Sequence, residues 1–379
     1  MTVYFLLIAI ILLLPIVFSN VKDSNLRRER ILKTSMIAIF LVMALKAPTV
    51  GRDIAGYKRT YELIQYRSWS NYDVSWMEWG YEFIMMVFSH LFHASFQVFI
   101  ACVYAFVYYS YYKFLKRYSR DVTTSLIIYI CFTYFTFDSS AIRTMIGVAI
   151  CLYAVPFAEK KGIKNFFVFL AISLVAAQIH KSAYVFLIVY FVIKIRFTAR
   201  SMLLYIGVPL FALLLRTQLY TVISIYFKSF QESGSALGGN LLIYIFSLML
   251  SIYIWYNFDR KSVDQSYGNE SASDYKYQFD GAEDKQIDLA SQNGLAMRLV
   301  YAGIIMQLFA TNSALSRLAQ YMQFFILILI PNNMMRLDNR SRLIMRGILY
   351  FAAILYFWYF SLEANSLDIV PYKFFWAVM

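Results

Sequence analysis

Long uninterrupted apolar blocks are the feature of this sequence that most constrains its fold. They lie at roughly 3–19, 31–47, 94–112, 122–137, 142–158, 165–180, 182–195, 201–217, 241–257, 295–310, 316–332 and 345–361. Their apolar residues follow neither the period of 2 of a half-buried strand nor the 3.6-residue stripe of a soluble helix. Hydrophobic residues make up 60% of the 379-residue chain and charged residues 15%, which is too little polar surface for a soluble protein. The sequence therefore predicts an all-α, polytopic membrane protein with about twelve transmembrane helices.

The basic residues predict the orientation of these helices. Most of the 35 Lys and Arg residues lie in alternate connections between the blocks, and cytoplasmic connections are the ones enriched in Lys and Arg. This pattern predicts that both termini lie outside, and it accounts for the net charge of +13 without a nucleic-acid partner. We therefore expect one integral membrane domain over residues 1–379, with an external loop at 47–80, an interfacial helix at 81–93 and an acidic cytoplasmic loop at 259–293.

Residues that bind metals or cofactors are few in this sequence. The three cysteines lie inside apolar blocks without a C-x-x-C pair, and the three histidines, His90, His93 and His180, are scattered. Neither of the common glycine-rich nucleotide-binding motifs occurs. The sequence therefore predicts no metal site and no cofactor.

Two arginines occupy an unusual position on the external side. Arg143 and Arg317 each follow a serine-rich N-cap signal, at 139–140 and 313–316. A cation in the first turn of a helix opposes the helix dipole. An anion bound between the free N–H groups and the guanidinium removes that conflict. We therefore predict that the two arginines clamp a diphosphate; the alternative is that each pairs with a carboxylate or reaches lipid phosphates.

Three side chains on the same side are candidates for a general base. Glu78 and Asp53 are carboxylates of the external loop, and His180 lies at the boundary between two blocks. Lys181 beside His180 favours a neutral imidazole that accepts a proton, and Arg52 beside Asp53 favours an ion pair. We expect His180 to be the base or to orient the acceptor hydroxyl, with Glu78 as the second choice and Asp53 as a structural or arginine-positioning residue. Arg52 and Lys181 are assigned to the diphosphate together with the arginine pair.

At these residues the sequence resembles a known family, the EpsG-like branch of the Wzy-type polysaccharide polymerases. The resemblance runs from about residue 45 to 330 and rests on the order and spacing of Gly51-Arg52-Asp53, Tyr57, Tyr61, Glu78-x-Gly80-Tyr81, Ile142-Arg143, His180-Lys181-Ser182-Ala183 and Arg317…Tyr321. It implies a GT-C-like, all-helical glycosyltransferase of the bacterial inner membrane with an active site that faces the periplasm.

The resemblance also implies a reaction and its partners. A growing glycan would pass from undecaprenyl diphosphate to the next lipid-linked repeat unit of an O-antigen, capsule or exopolysaccharide. Tyr57, Tyr81 and Tyr321 would contact the glycan, and the expected partners are membrane lipids, a flippase and a chain-length regulator. A lipid-linked oligosaccharide flippase or a membrane O-acyltransferase stays open as an alternative. The unusual residues crowd toward one face, which favours the polymerase.

Overall fold

The protein is described from a computed structural model that covers residues 1–69, 77–132, 134–194, 289–309 and 313–377, with positions 211, 214, 215, 218 and 249. These residues divide into two compact units. The first comprises Met1–Tyr190 and Asn339–Met379, and the second comprises Phe191–Asp338. The prediction that the whole chain forms one integral membrane domain is not tested by this division.

Helices dominate the described residues of both units. In chain order they are α1 (Thr2–Val17), α2 (Ser24–Ala44), α3 (Ile54–Ile64), α4 (Trp79–Met86), α5 (Phe96–Tyr118), α6 (Val122–Cys131), α7 (Tyr134–Asp138), α8 (Ile142–Glu159), α9 (Ile163–Ile179), α10 (Val189–Val192), α11 (Leu289–Phe309), α12 (Ser313–Gln323), α13 (Ile326–Met334) and α14 (Asn339–Tyr356). A π-helical turn, Val87–Leu91, extends α4, and another, Phe357–Glu363, extends α14. A 3₁₀ helix, Lys181–Ile188, precedes α10.

Side-chain caps begin several of these helices. The Asp23 carboxylate accepts hydrogen bonds from the N–H groups of Asn25 and Leu26 at the start of α2. Ser95 caps α5 and Asp121 caps α6 in the same way. These caps satisfy N–H groups that have no partner inside the helix. These capping residues define where each helix begins more precisely than the bounds of the apolar blocks do.

Helices α6 and α8 form the centre of the first unit. All of α6 except Thr123 is buried, and it contacts α1, α2, α7 and α14. Helix α8 is buried from Ile142 to Ala149 and packs between α5 and α9. The charged residue of this buried stretch is Arg143, which places it at the site described below.

The all-helical class is confirmed for the residues described, none of which lies in a β-strand. Within the same residues, three segments are long and apolar enough to cross a membrane: Phe96–Tyr118, Ile142–Glu159 and Asn339–Glu363. Five further apolar helices are shorter. The expectation of about twelve transmembrane helices in a GT-C-like arrangement is therefore not confirmed and stays a prediction.

Three apolar blocks of the described residues are not the single helices that the sequence predicts. The block at 316–332 is divided between α12 and α13. The block at 122–137 is divided between α6 and α7. This break lets Asp138, at the end of α7, accept a hydrogen bond of 2.8 Å from the Tyr129 hydroxyl of α6. The block at 182–195 begins as a 3₁₀ helix, whose rise per residue is greater than that of an α-helix.

Other boundaries also differ from those predicted. The external loop at 47–80 contains the eleven-residue helix α3, and the segment predicted at 81–93 begins at Trp79. Helix α11 begins at Leu289, inside the end of the polar loop predicted at 259–293. The rest of that loop and almost all of the two blocks between 201 and 257 lie outside the described residues.

Candidate active site

Glu78, Arg143 and His180 meet at one carboxylate although they lie far apart in the sequence. Arg143 Nη1 donates to Glu78 Oε2 at 2.5 Å, across 65 residues. His180 Nδ1 lies 3.0 Å from Glu78 Oε1, across 102 residues. The Lys181 backbone N–H donates to the same Oε1 at 3.0 Å. Four of the residues predicted for chemistry or diphosphate binding, Lys181 through its backbone, therefore form one network in the first unit.

The close approach of α4 to α9 brings Glu78 to His180. Glu78 immediately precedes α4, and Gly80 lies in its first turn. A Cβ atom at Gly80 would lie 2.6 Å from the backbone oxygen of Gln178, near the end of α9. Only glycine allows that distance, because real Cβ contacts are longer. In the Glu-x-Gly motif, Glu78 therefore supplies the carboxylate and Gly80 allows the close packing of α4 on α9.

The end of α9 supplies the other half of the contact. Helix α9 stops at Ile179, and His180 has an extended backbone conformation. The 3₁₀ helix then begins at Lys181, whose N–H has no partner within the helix and donates to Glu78 instead. Lys181 thus joins the network through its backbone, while the residue itself is exposed.

Arg143 is the second residue of α8, as the sequence predicts, but its helix begins without the predicted serine cap. The N-cap is Ala141 and has no side-chain hydrogen bond to the helix. Ser139 Oγ donates back to Thr136 O at 2.6 Å. Ser140 Oγ accepts a hydrogen bond from Asp53 N at 3.1 Å. The N-cap prediction at 139–140 is wrong because both hydroxyl groups have other partners.

Tyr57 contacts Arg143, and Tyr81 packs against Tyr57. Arg143 Nε donates to the Tyr57 hydroxyl at 3.3 Å, and its guanidinium lies 5.8 Å from the Tyr57 ring centre. The Tyr81 ring packs edge-on against Tyr57 at 5.7 Å. Both tyrosines are buried, with 2% and 0% exposure. In this arrangement Tyr57 holds Arg143, and glycan contact by either ring stays a prediction.

The electrostatics of the network keep Glu78 ionised. Burial by itself raises the pKa of Glu78, but the hydrogen bond from His180, the charge of Arg143 and the N–H of Lys181 together lower it to about 2. An ionised carboxylate only accepts hydrogen bonds, so the proton of a neutral imidazole lies on Nδ1. The Nε2 atom of His180 is then the proton acceptor, and no residue in the described part of the chain hydrogen-bonds it.

The remaining predicted residues lie outside this network or in the second unit. Asp53 precedes α3, and its backbone N–H is bonded to Ser140. Arg52 forms an exposed ion pair with Asp368, at 3.5 Å, whereas the sequence suggested the neighbouring Asp53 as its partner. The role of Asp53, a candidate base that we expect to be a structural or arginine-positioning residue, and that of Arg52 as a diphosphate ligand stay predictions.

Arg317 and Tyr321 lie in α12 of the second unit. Arg317 is half-buried and Tyr321 is 1% exposed. Helix α12 packs against α11, as does α13. Diphosphate binding by Arg317 and glycan contact by Tyr321 stay predictions.

Sequence reasoning missed two buried charges near the site. Lys46 is 4% exposed, and Glu82 is 1% exposed and bonded to Arg67 at 3.1 Å. Glu82 follows Glu78 by one helical turn, which is a spacing visible in the sequence. Among the described residues, no group of three or more His, Cys, Asp and Glu side chains is arranged to hold a metal ion.

Comparison with known proteins gives one match. The model of the EpsG family matches residues 29–374, which includes every residue of the network. No curated protein and no solved structure matches this chain. The family match confirms the resemblance inferred from the sequence motifs.

Proposed function

We propose that this protein is a membrane glycosyltransferase that joins lipid-diphosphate-linked repeat units. The chain belongs to the EpsG family, and membership of that family suggests a polymerase of polysaccharide biosynthesis. The substrate is a glycan on undecaprenyl diphosphate, and the reaction takes place at the periplasmic face of the bacterial inner membrane. The product is an O-antigen, capsule or exopolysaccharide chain. The observation that supports this function best is the Glu78–His180 pair with Arg143 on the same carboxylate.

The pair is suited to deprotonate a sugar hydroxyl. His180 donates from Nδ1 to Glu78, so its Nε2 takes the proton of the acceptor hydroxyl. The acceptor oxygen then forms a bond to the anomeric carbon of the growing chain. The bond from that carbon to the diphosphate oxygen breaks, and the electron pair leaves with the lipid diphosphate. Glu78 stabilises the imidazolium formed, as a carboxylate does for other catalytic histidines.

Arg143 lies beside the base and supplies positive charge for the leaving diphosphate. Its side chain is 10% exposed, and its guanidinium is fixed by Tyr57 and Glu78. Fixed donors stabilise developing charge better than mobile ones, because they need no reorganisation during the reaction. In this proposal Arg317, Arg52 and the Lys181 ammonium complete the diphosphate site.

Polymer formation from purified lipid-linked repeat units tests the proposal. We expect His180→Gln to lower the rate by about 100-fold or more, since general base catalysis contributes typically 10²–10⁴-fold. The matched control is His93→Gln, because His93 is exposed and follows the helical segment that starts with α4. A normal rate in His180→Gln with an inactive Glu78→Gln would transfer the base role to the carboxylate.

A deletion strain separates the proposed function from the two alternatives. We expect the strain to carry single repeat units on the lipid and to regain a glycan ladder with the wild-type gene. Lipid-linked repeats confined to the cytoplasmic leaflet would indicate a flippase instead. A normal ladder without its O-acyl groups would indicate an acyltransferase. Either result would contradict the polymerase.

A further inference from the structure

Lys46 is a buried lysine whose side-chain nitrogen joins two turns of the first unit. It follows α2 and is 4% exposed. Its ammonium donates to the backbone oxygen of Val50 at 2.8 Å and to that of Ser139. It also lies 5.6 Å from the ring centre of Tyr104. A buried ammonium needs such partners, so Lys46 ties the turn at 46–53 to the turn at 138–141.

Two further contacts join the same turns. The Asp53 N–H donates to Ser140 Oγ at 3.1 Å. Gly51 has φ +102°, and a Cβ atom there would overlap the backbone oxygen of Ser139. Glycine is therefore required both by its conformation and by the closeness of the two turns. Because α8 begins at Ile142, directly after the second turn, these contacts fix where the helix of the active-site arginine starts.

The C-terminal segment holds the first turn from another direction. Four backbone hydrogen bonds of 2.8–2.9 Å connect them: Ala47 N–H to Lys373 O, Gly51 N–H to Asp368 O, Arg52 N–H to Leu367 O and Phe375 N–H to Leu45 O. The turn is thus bound on one side by the C-terminal segment and on the other by the start of α8. The turn at 46–53 is therefore held in place and can position the residues that it contacts.

We propose that Lys46 is a positioning residue for Arg143, and that it acts through the carbonyl oxygen of Ser139. The ammonium holds the turn at 138–141 against the fixed turn at 46–53. This contact sets the first residues of α8, and thereby the guanidinium that meets Glu78 and Tyr57. The effect on turnover rests on the proposed function, whereas the effect on the placement of Arg143 does not.

Chemical modification of Arg143 tests the placement directly. Phenylglyoxal is applied to the full-length protein in detergent, and peptide mass spectrometry measures the modification rate of each arginine. Arg143 has a 10% exposed side chain bonded to Glu78, so it should react slowly in the wild type. We expect Lys46→Met to raise its rate at least several-fold. Lys58→Met is the matched control, because Lys58 is an exposed residue of α3.

Arg28 reports on unfolding in the same experiment. It belongs to the same unit and bonds to backbone oxygens at the far end of α5, those of Lys116 and Ser119. Faster reaction of Arg143 with an unchanged Arg28 supports the proposal. If both react faster in Lys46→Met, Ser140→Ala decides, since it loosens the same pair of turns by removing only the acceptor of the Asp53 N–H. Faster reaction of Arg143 with an unchanged Arg28 in Ser140→Ala supports the proposal, and unchanged rates of both overturn it. An unchanged Arg143 in the folded variant overturns the proposal.

A double-mutant cycle on polymer formation tests whether Lys46 acts through Arg143. We expect Lys46→Met to lower kcat by about 10-fold in the wild type and by less than 2-fold in an Arg143→Lys background. Equal losses in both backgrounds would overturn the positioning role and indicate a purely structural one. If the wild type forms no polymer, the proposed function fails, while the modification rates still decide the placement.

Discussion

Replacing Glu78 by Gln should destabilise the protein as well as inactivate it. The carboxylate receives donors from Arg143, His180 and the Lys181 backbone, and both ion-pair side chains are only 10% exposed. An amide of the same shape loses the charge and presents an NH₂ group to a ring of donors. The Arg143 guanidinium then stays buried without its counter-charge, which is the mechanism by which broken buried ion pairs destabilise proteins.

The magnitude follows from the pKa of Glu78. A decrease from 4.5 to about 2 corresponds to about 2.5 pKa units, and at 1.36 kcal/mol per unit this is on the order of 3 kcal/mol of stability at neutral pH. Loss of one partner of a buried ion pair typically costs about 3–5 kcal/mol, which agrees. A loss of about 3 kcal/mol should lower the Tm by roughly 5 °C.

Thermal unfolding of the detergent-purified protein, followed by tryptophan fluorescence, measures this difference. Glu62→Gln is the matched control, because Glu62 is 56% exposed and its partner Lys58 lies one helical turn away at 3.6 Å. Exposed pairs of this kind contribute about 0–1 kcal/mol, so the control should unfold near the wild-type temperature. A wild-type Tm for Glu78→Gln would refute the reasoning.

The difference in stability between the wild type and Glu78→Gln should depend on pH. The pKa of Glu78 is lower in the folded protein than its unfolded value of 4.5. Its stabilisation is therefore complete above pH 4.5 and is lost as pH falls through about 2. The difference in Tm between wild type and Glu78→Gln should be constant from pH 7 to about pH 5 and fall to less than about half at pH 3. A difference that grows on acidification would contradict the assignment.

Two further substitutions test the packing around the network. Tyr57→Phe removes the hydroxyl that accepts a hydrogen bond from Arg143 Nε. We expect about a 10-fold loss of kcat, since a hydrogen bond to a charged group is worth about 1.5–3 kcal/mol. The control Tyr66→Phe should show no loss, because Tyr66 is 88% exposed. Gly80→Ala places a methyl group against the backbone of Gln178. We expect this variant to be destabilised by about 1–3 kcal/mol and to form less polymer. An unchanged Tm and an unchanged glycan ladder would show that α4 can shift without cost.

The residue types of the site could be predicted from the sequence, but their partners could not. Arg143 in a first helical turn, a carboxylate in the external loop and a histidine at a block boundary were all visible as misplaced polar residues. Which carboxylate meets which cation depends on how α4 packs on α9, across 102 residues of sequence. The steric requirement at Gly80 that permits this packing has no local sequence signature.

The predicted serine cap at 139–140 is wrong for a related reason. The segment at 139–140 has the composition of an N-cap, but its hydroxyl groups bond to Thr136 and to the backbone of Asp53. Both hydroxyl groups serve the turn at 138–141 and not the helix that follows it. Local propensity favours a cap, and the contact between the two turns overrides it. Lys46, which makes the same contact, looked like an ordinary residue at the end of an apolar block.

Arg143 is paired with the Glu78 carboxylate, which is the alternative that the sequence left open beside a bound diphosphate, and this pairing changes the proposed role of the arginine. Arg143 carries one positive charge and Glu78 one negative charge, so the network is neutral while His180 is neutral. In the proposed reaction His180 takes a proton, and the network acquires its positive charge at the moment when negative charge develops on the leaving diphosphate. An attraction that is stronger in the transition state than in the ground state raises kcat, whereas a permanent cation would bind both states. In this proposal Glu78 does more than orient the base: it also keeps Arg143 from binding the substrate diphosphate too tightly before the reaction begins.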